Sequence, residues 1–156
     1  MIDQKYVKVL SKLHARLAHS RIEWAVTGSL SLALQGLPVE VKDIDIETDE
    51  KGAYRIETLF SEFSSTKVAF SSGRKIRSHF GVLLIDGLLV EIMGDVELLA
   101  GKTWIAPIRL RNHTIWVKVG KLNVPCMSLD HEYQAYEILG RKHKMAIIRP
   151  LLRLQE

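Results

Sequence analysis

Hydrophobic residues recur every three or four positions in several stretches of the chain, which is the spacing of one face of an α-helix. In residues 3–19 the apolar positions are separated by Lys and Arg, and this predicts an amphipathic helix. The same spacing, bounded by Ser, Gly and Pro, predicts helices over residues 29–35, 50–63 and 128–140. A last, basic helical stretch contains Pro150, which we expect to kink or end it. The positions expected to face inward from the first and third helices are Tyr6, Leu10, Leu13, Leu17, Ala53, Ile56, Leu59, Phe60 and Phe63.

Strict alternation of apolar and polar residues marks the predicted strands. In residues 41–47 the acids lie on one face and the isoleucines on the other. Asp86 and Gly87 separate two apolar runs, and this dipeptide predicts a two-residue β-hairpin turn. Residues 64–75 are rich in Ser, Lys and Arg, and most of them are expected to form a loop. Strands are predicted over residues 23–27, 41–47 and 104–119, and in the two runs beside the hairpin turn.

Composition narrows the class of protein. The chain of 156 residues is 47% hydrophobic and 26% charged, which is typical of one soluble globular domain. It has no apolar run of membrane-spanning length and no signal-peptide core, and its single cysteine, Cys126, excludes an internal disulfide. We therefore expect a cytoplasmic protein with no membrane partner. The net charge of +4 is compatible with nucleotide or RNA partners, but ordinary surface charge explains so modest an excess better.

Two aspartates make the predicted strand at 41–47 unusual. Asp43 and Asp45 lie two positions apart, so their carboxylates point to one face about 7 Å apart along the strand. An unpaired buried carboxylate is costly, and a partner or a cation should meet them. Glu91 lies in the middle of another apolar strand and completes a three-carboxylate cluster if the two strands are neighbours. Mg²⁺ prefers such oxygen ligands, and two metal ions there could clamp a phosphoryl displacement.

Each of these features also has a simpler interpretation. Alternating acids can form the solvated face of an edge strand, and Glu91 could pair with Arg74 or Arg77. Gly28 and Ser29 precede a predicted helix, where a glycine permits close approach of a ligand and free N–H groups can hold phosphate. The same pair could be a plain helix N-cap. The convergence of the turn and the acids on one site is what favours a functional interpretation.

The combination resembles a known family. Gly28-Ser29, a spacer of 13 residues and then D-I-D-I starting at Asp43 are similar to the signature of the polymerase β-type nucleotidyltransferase superfamily. The stretch around Glu91 resembles the third-carboxylate strand of its small single-domain members, which include lincosamide and aminoglycoside nucleotidyltransferases. The sequence VPCMSLDHEYQAYEILGRKHK resembles their helical tail. The resemblance covers most of residues 24–145.

This resemblance implies an α+β fold, a mixed β-sheet flanked by helices. A nucleotidyltransferase catalytic core would span residues 1–127, and residues 128–156 would form a C-terminal helical segment within the same domain. The implied reaction moves an NMP group from an NTP, with ATP the expected donor, to a hydroxyl of an unidentified acceptor, and releases pyrophosphate. The implied cofactor is Mg²⁺, with Mn²⁺ as a substitute. The acceptor could be a small molecule, a protein or a tRNA.

The resemblance also implies roles by position. Asp43 and Asp45 would be metal ligands, and Glu91 the third ligand or the general base, so that all three are catalytic candidates. The residues expected to bind the nucleotide are Gly28, Ser29 and, from its charge and position before the hairpin, Arg77. The chain departs from the family pattern at two places: Glu47 adds a fourth acid, and L-Q-G at 34–36 replaces the usual Arg.

Two other classes of function remain open from the sequence. One is a nucleotide-binding module of the same fold that has lost turnover. The other is an RNA-interaction module that uses the basic stretches, including residues 141–144; its binding would fall steeply with salt and would not need Asp43.

Overall fold

The protein is described here from a computed structural model covering residues 2–155. Its α-helices are α1 (Gln4–Leu17), α2 (Gly28–Leu34), α3 (Glu50–Leu59), α4 (Leu129–Leu139) and α5 (Lys142–Gln155). Its strands are β1 (Trp24–Thr27), β2 (Ile44–Thr48), β3 (Ser64–Ser72), β4 (Ile76–Ile85), β5 (Leu88–Ala100), β6 (Thr103–Ile105), β7 (Thr114–Val119) and β8 (Leu122–Met127). The predicted α+β class is confirmed. No helix in the described part of the chain is long and apolar enough to cross a membrane.

The strands form one mixed sheet in the order β3-β4-β5-β2-β1-β8-β7, and β6 pairs with part of β5. Strand β2 lies between β1, to which it is antiparallel, and β5, to which it is parallel. This arrangement brings the acidic strand next to both the Gly28 turn, which follows β1, and the strand that carries Glu91.

One face of the sheet is covered by α1 and α3. The buried side chains of these two helices belong to the same core cluster as the apolar residues of β2 and β5, including Ile44, Ile46, Val90 and Ile92. Gly94 on β5 allows α3 to come close, because a Cβ at Gly94 would lie 2.7 Å from the backbone oxygen of Asp49. The acids of β2 alternate with its isoleucines and therefore point to the opposite face.

That opposite face is partly covered by α4, which packs against α5. A second apolar cluster joins the two helices to α2 and contains Leu32, Leu37, Leu129, Tyr136 and Ile148. The hairpin predicted at Asp86 and Gly87 is confirmed. Both residues have positive φ, +50° and +79°, as a type I′ turn requires.

The expected loop at 64–75 is wrong, because residues 64–72 form the edge strand β3. Its pairing with β4 contains register shifts, and Val68 is its one buried side chain. An edge strand that is exposed on both faces does not need apolar alternation. Its polar composition therefore concealed it.

Three helix and strand boundaries also differ from expectation. Leu59, expected inward, ends α3 and is exposed. Helix α5 does not end at Pro150 but continues to Gln155. Pro150 has no N–H to donate to the backbone carbonyl one turn earlier, but it lies on an exposed side of the helix, where water can reach that carbonyl. Strand β2 begins at Ile44, where its pairing with Val90 of β5 starts, rather than at residue 41.

Candidate active site

Asp45 and Glu91 lie side by side on the neighbouring strands β2 and β5. The register of these parallel strands pairs the two residues directly, so their side chains share one face of the sheet. Burial raises the pKa of Asp45 to about 8, and a hydrogen bond with Glu91 and the charges of Glu91, Asp43 and Glu132 act in the same direction. Asp45 is therefore a carboxylate held among other carboxylates.

The two oxygens of Asp45 have different surroundings. Oδ1 is buried and has no hydrogen-bond partner among residues 2–152, the part of the chain whose side chains the structure describes. Oδ2 lies against Gly28, where an added Cβ would be only 2.4 Å away, and Gly28 also has a φ of +69°. Both the backbone conformation and the available space therefore require glycine at this turn. The glycine therefore lets the start of α2 approach the Asp45 carboxyl closely.

A third acid, Glu132 of α4, holds this turn from the other side. The Thr27 hydroxyl donates a hydrogen bond of 2.5 Å to Glu132 Oε1, and the Gly28 N–H donates one of 3.3 Å to the same oxygen. Burial raises the pKa of Glu132 to about 7, while these two hydrogen bonds favour the charged form. The Thr27 side chain is thus used to bind α4 and does not cap α2.

Glu132 was not identified from the sequence, although a signal was present. Leu129, Glu132 and Tyr136 are the buried residues of α4, at the spacing of one helix face. A glutamate in the middle of the buried face of a helix requires a hydrogen-bond partner inside the protein. That partner, the turn after β1, lies 105 positions earlier and could not be found from local pattern.

Asp43 and Ser29 lie at the margin of the site. Asp43 occupies a bend before β2, and Ser29 is the second residue of α2; both are half-buried. Because β2 starts at Ile44, Asp43 is outside the regular alternation that places Asp45 beside Glu91. Among residues 2–155 no three His, Cys, Asp or Glu side chains are arranged to hold a metal ion by themselves. The structure brings Asp45 and Glu91 together and leaves Asp43 at the edge of the pair.

Arg77 is not brought to this cluster. Its guanidinium forms two hydrogen bonds with Glu97, of 3.1 and 3.0 Å, and lies 4.4 Å from the ring centre of Trp104. The hairpin turn fixes the register in which Val82 pairs with Glu91. Arg77 is five residues from Val82, so it points to the other face of the sheet. The expected role of Arg77 at the nucleotide is corrected on this ground.

The acids open into a cavity of about 430 Å³ between the sheet and α4. Pockets of this size bind small molecules. Its acidic floor consists of Asp45, Glu47, Glu91 and Glu132. Its apolar walls include Ile76, Val96, Leu98, Ile105, Ile108 and Ile138. Gly28 and Arg141 also line it, so the turn, the acids and one guanidinium face the same space.

The residues present fit a divalent metal ion. Asp45 Oδ1 is a buried carboxyl oxygen that no described residue satisfies, and a cation would supply the missing partner and favour the ionised form. Mg²⁺ is commonly bound by one or two protein carboxylates together with water and substrate phosphates, so a complete protein cage is not needed. Asp45 and Glu91, with Asp43 nearby, provide that kind of donor set.

The mixed sheet sets a Gly-Ser turn against paired carboxylates on two neighbouring strands, which is the arrangement that the resemblance to nucleotidyltransferases implies. The family model for aminoglycoside-2''-adenylyltransferase matches residues 9–148. The chain belongs to this family and is a nucleotidyltransferase.

Solved structures agree with this assignment. A Thermotoga maritima protein assigned as a nucleotidyltransferase, TM1012, is 52% identical over 98% of this chain and 96% of its own, with a TM-score of 0.86. The lincomycin-bound lincosamide adenylyltransferase LnuA matches 95% of this chain and 97% of its own at 13% identity and a TM-score of 0.59. ANT(2'')-Ia in complex with adenylyl-2''-tobramycin matches 95% of this chain and 90% of its own, at 13% identity and a TM-score of 0.60. These last two show the shared fold. No curated protein matches the chain by sequence.

Proposed function

We propose that the protein transfers an NMP group from a magnesium-bound NTP, with ATP as the donor, to a hydroxyl of a small-molecule acceptor. The observation that carries this proposal is the unsatisfied Asp45 Oδ1 beside Glu91 and Gly28, which suits a metal-bound phosphate. The family name and the adenylyl-tobramycin complex of ANT(2'')-Ia support an adenylyl group and a small acceptor. A cytoplasmic location, expected from the composition, accords with ATP as the donor.

In this proposal Asp45 and Glu91 hold the metal ion, with Asp43 as a further ligand. When bound, Mg²⁺, or Mn²⁺ in its place, supplies positive charge that offsets the charge of the phosphates and of the carboxylates. Gly28 gives the close approach to Asp45, and the backbone N–H of Ser29 at the start of α2 is the proposed donor to the triphosphate. Arg141, which lines the cavity, takes the part first expected of Arg77.

Glu91 is the proposed general base. The acceptor oxygen attacks the α-phosphorus of ATP, and its proton passes to the Glu91 carboxylate. The bond between the α-phosphorus and the bridging oxygen breaks as the new bond forms, and pyrophosphate leaves with the electron pair. The products are the adenylylated acceptor and pyrophosphate.

The test compares Asp45→Asn with Asp130→Asn, which removes one carboxylate from an exposed position on α4. We expect Mg²⁺-ATP to raise the melting temperature of the wild type and of Asp130→Asn by mass action, and to leave that of Asp45→Asn unchanged. The wild type is then incubated with α-³²P-ATP and a cell extract. Transfer of label to a compound of the extract indicates an enzyme, and its absence indicates a module that binds nucleotide without turnover. An undiminished magnesium-dependent shift in Asp45→Asn contradicts the proposed metal site.

A further inference from the structure

A basic groove lies at the end of β1 opposite the Gly28 turn. It has a volume of about 490 Å³, and its cations are Arg21, Lys51, Arg55, Arg109 and Arg111. Strand β1 begins at Trp24, next to the groove, and ends at Thr27, which pairs with Asp45. The groove shares no lining residue with the acidic cavity. It is therefore a separate surface, and the proposed reaction has no use for it.

The basic groove concentrates positive charge. Its five cations face two acids, which gives a net charge of +3, while the whole chain carries +4. Of the acids, Asp49 caps α3 through its side chain, and Glu23 lies 3.9 Å from Arg111 in an exposed pair that contributes little. Among residues 2–152 the cations of the groove without an ion-pair partner are Arg21, Lys51, Arg55 and Arg109. The groove is thus complementary to an anion with several charges.

The position of Arg21 in the groove is imposed by its neighbours. Its φ of +63° lies in the left-handed region, which arginine rarely adopts. The Ser20 hydroxyl donates to the backbone oxygen of Leu17 at 2.7 Å and accepts from the Ile22 N–H at 3.1 Å. The Arg55 guanidinium donates to the backbone oxygen of Ser20 at 2.7 Å. Such strained backbone persists only where surrounding contacts impose it, and it is frequent at ligand sites.

An exposed tryptophan continues this surface. A second cavity of about 310 Å³, the tryptophan cavity, shares Arg21, Glu23 and Arg111 with the basic groove and adds Trp24 and Trp116. Trp116 lies on the edge strand β7 and is 68% exposed, whereas Trp24 is buried. A flat ring beside arginines can stack on a nucleobase while the arginines bind the adjoining phosphates. An acidic peptide would use the cations but would leave this ring without a partner.

Together the basic groove and the tryptophan cavity cross four neighbouring strands. Trp116 is on β7, the groove reaches Asp49 directly after β2, and the strands between them run in the order β7-β8-β1-β2. With about 4.8 Å between neighbouring strands, the surface extends over about 14 Å. One nucleotide would occupy only part of that length, so the surface fits a chain of linked nucleotides.

We propose that this surface binds a single-stranded nucleic acid, with phosphates against the arginines of the basic groove and a base on the ring of Trp116. Positive charge and an exposed aromatic ring are the two features by which proteins bind single strands without reading their sequence. Because neither the groove nor the tryptophan cavity contains a residue of the acidic cavity, this inference stands independently of the proposed reaction.

The test measures the fluorescence anisotropy of labelled RNA and DNA single strands of about 12 nucleotides, without ATP or metal. The comparison probes are an abasic DNA strand of the same length and a polyglutamate peptide of the same charge. We expect the RNA and DNA strands to bind at least about tenfold more tightly than either, since only they offer a base to Trp116. No measurable binding of the single strands, or equal affinity for the abasic strand or the peptide, overturns the proposal.

The two single strands also distinguish the sources of the ligand. Tighter binding of RNA than of DNA supports the proposal with RNA as the partner, because only RNA carries the 2′-hydroxyl. Equal binding of the two supports it with the shared phosphates and bases as what the protein recognises.

Trp116→Ala tests the stacking, and Phe70→Ala is its control, because Phe70 is also an exposed ring, 55% accessible, on the other edge strand, β3. We expect Trp116→Ala to weaken binding of the single strands about tenfold and Phe70→Ala to leave it unchanged. Unchanged binding in Trp116→Ala overturns the proposal. Both side chains are exposed, so neither change removes a buried contact.

The phosphate contacts are tested by the salt dependence of binding. Replacing both Arg21 and Arg109 with Gln should lower the slope of log Kd against log salt concentration by about 1.4, since each phosphate contact to a single strand contributes about 0.7. Replacing both Lys67 and Lys102 with Gln removes the same charge from exposed positions outside the groove and should leave the slope unchanged. Equal slopes in the two double variants overturn the proposal and indicate ordinary surface charge.

Discussion

The Thr27 hydroxyl and the Glu132 carboxylate form a buried hydrogen bond of 2.5 Å that connects the turn after β1 to α4. Gly28 donates its N–H to the same oxygen. The backbone that faces Asp45 is therefore fixed by a residue of the C-terminal helices. The shape of the turn that we propose to face the nucleotide therefore depends on α4 as well as on the strand that precedes it.

Replacing Thr27 with Val removes this hydrogen bond and leaves Glu132 buried with one donor fewer. We expect a loss of about 1–3 kcal/mol in the free energy of unfolding, because a buried acceptor is left less satisfied. Urea denaturation measures the change. Thr27→Ser, which keeps the hydroxyl, is the control and should lose much less. Equal losses in the two variants would show that the methyl packing of Thr27, not the bond, stabilises the fold.

Gly28→Ala should abolish magnesium-dependent ATP binding. The new Cβ would lie 2.4 Å from Asp45 Oδ2, so the carboxylate or the turn must move. Gly87→Ala is the matched control, because Gly87 also has positive φ, +79°, but has no atom within 4 Å of the added Cβ. Each variant loses about 1–2 kcal/mol from backbone strain. Thermal shift with Mg²⁺-ATP should be lost in Gly28→Ala and kept in Gly87→Ala; a shift kept in both contradicts the close approach.

Buried acids make the stability of the metal-free protein depend on pH. The pKa of Glu132 is raised from 4.5 to about 7, so the folded state holds a proton that the unfolded state has released. The stabilising effect is complete below pH 4.5 and is lost as the pH rises to about 7. We expect unfolding free energy to fall by up to about 3 kcal/mol over this interval from Glu132 alone.

Glu132→Gln should flatten that dependence, because the amide cannot ionise but its oxygen can still accept from Thr27. Denaturation at pH 5 and pH 8 in EDTA measures the effect. Part of the slope should remain, since the pKa values of Asp45 and Glu47 are both raised to about 8. An identical slope in the wild type and Glu132→Gln would mean that Glu132 is not buried as described.

The two arginines near the site should behave differently. Arg77→Gln breaks the pair with Glu97 and the contact with Trp104, so we expect lower stability by about 1 kcal/mol and unchanged Mg²⁺-ATP affinity. Arg141→Gln should weaken Mg²⁺-ATP binding with little effect on stability, because Arg141 is exposed and lines the cavity. Calorimetric titration with ATP distinguishes them. Weakened ATP binding in Arg77→Gln would restore the original expectation for that residue.

The faces on which Asp45 and Glu91 lie could be anticipated from local alternation, whereas the pairing of β2 with β5 that makes them neighbours was implied only by the family resemblance. Alternation in β2 predicts on which face of the sheet each acid lies. The Asp86-Gly87 turn predicts that β4 and β5 pair with each other. The same turn also determines that Arg77 faces away, but this requires counting the register along β4. Glu97 could not be predicted as the partner of Arg77 in that way, because a register shift between Arg77 and His79 changes which residues of β5 lie opposite Arg77.

The remaining parts of the site depend on contacts between distant segments. Glu132 meets Thr27 only once α4 lies across the sheet, and no spacing in the sequence encodes that packing. The same holds for Glu47, whose burial requires β2 to lie between β1 and β5 in the assembled sheet. Edge strand β3 was missed for the opposite reason, since an exposed strand carries no apolar alternation.

The bond between Thr27 and Glu132 has a consequence for the order in which the protein acquires its activity. The two residues are separated by 105 positions in a chain of 156. On the ribosome, Thr27 and Gly28 are made early but receive their acceptor only when translation has passed α4. Any nascent chain that ends before Glu132 lacks both bonds, whatever else has folded. The turn proposed to face the nucleotide therefore acquires its two hydrogen bonds to α4 only after all the strands of the sheet have been made.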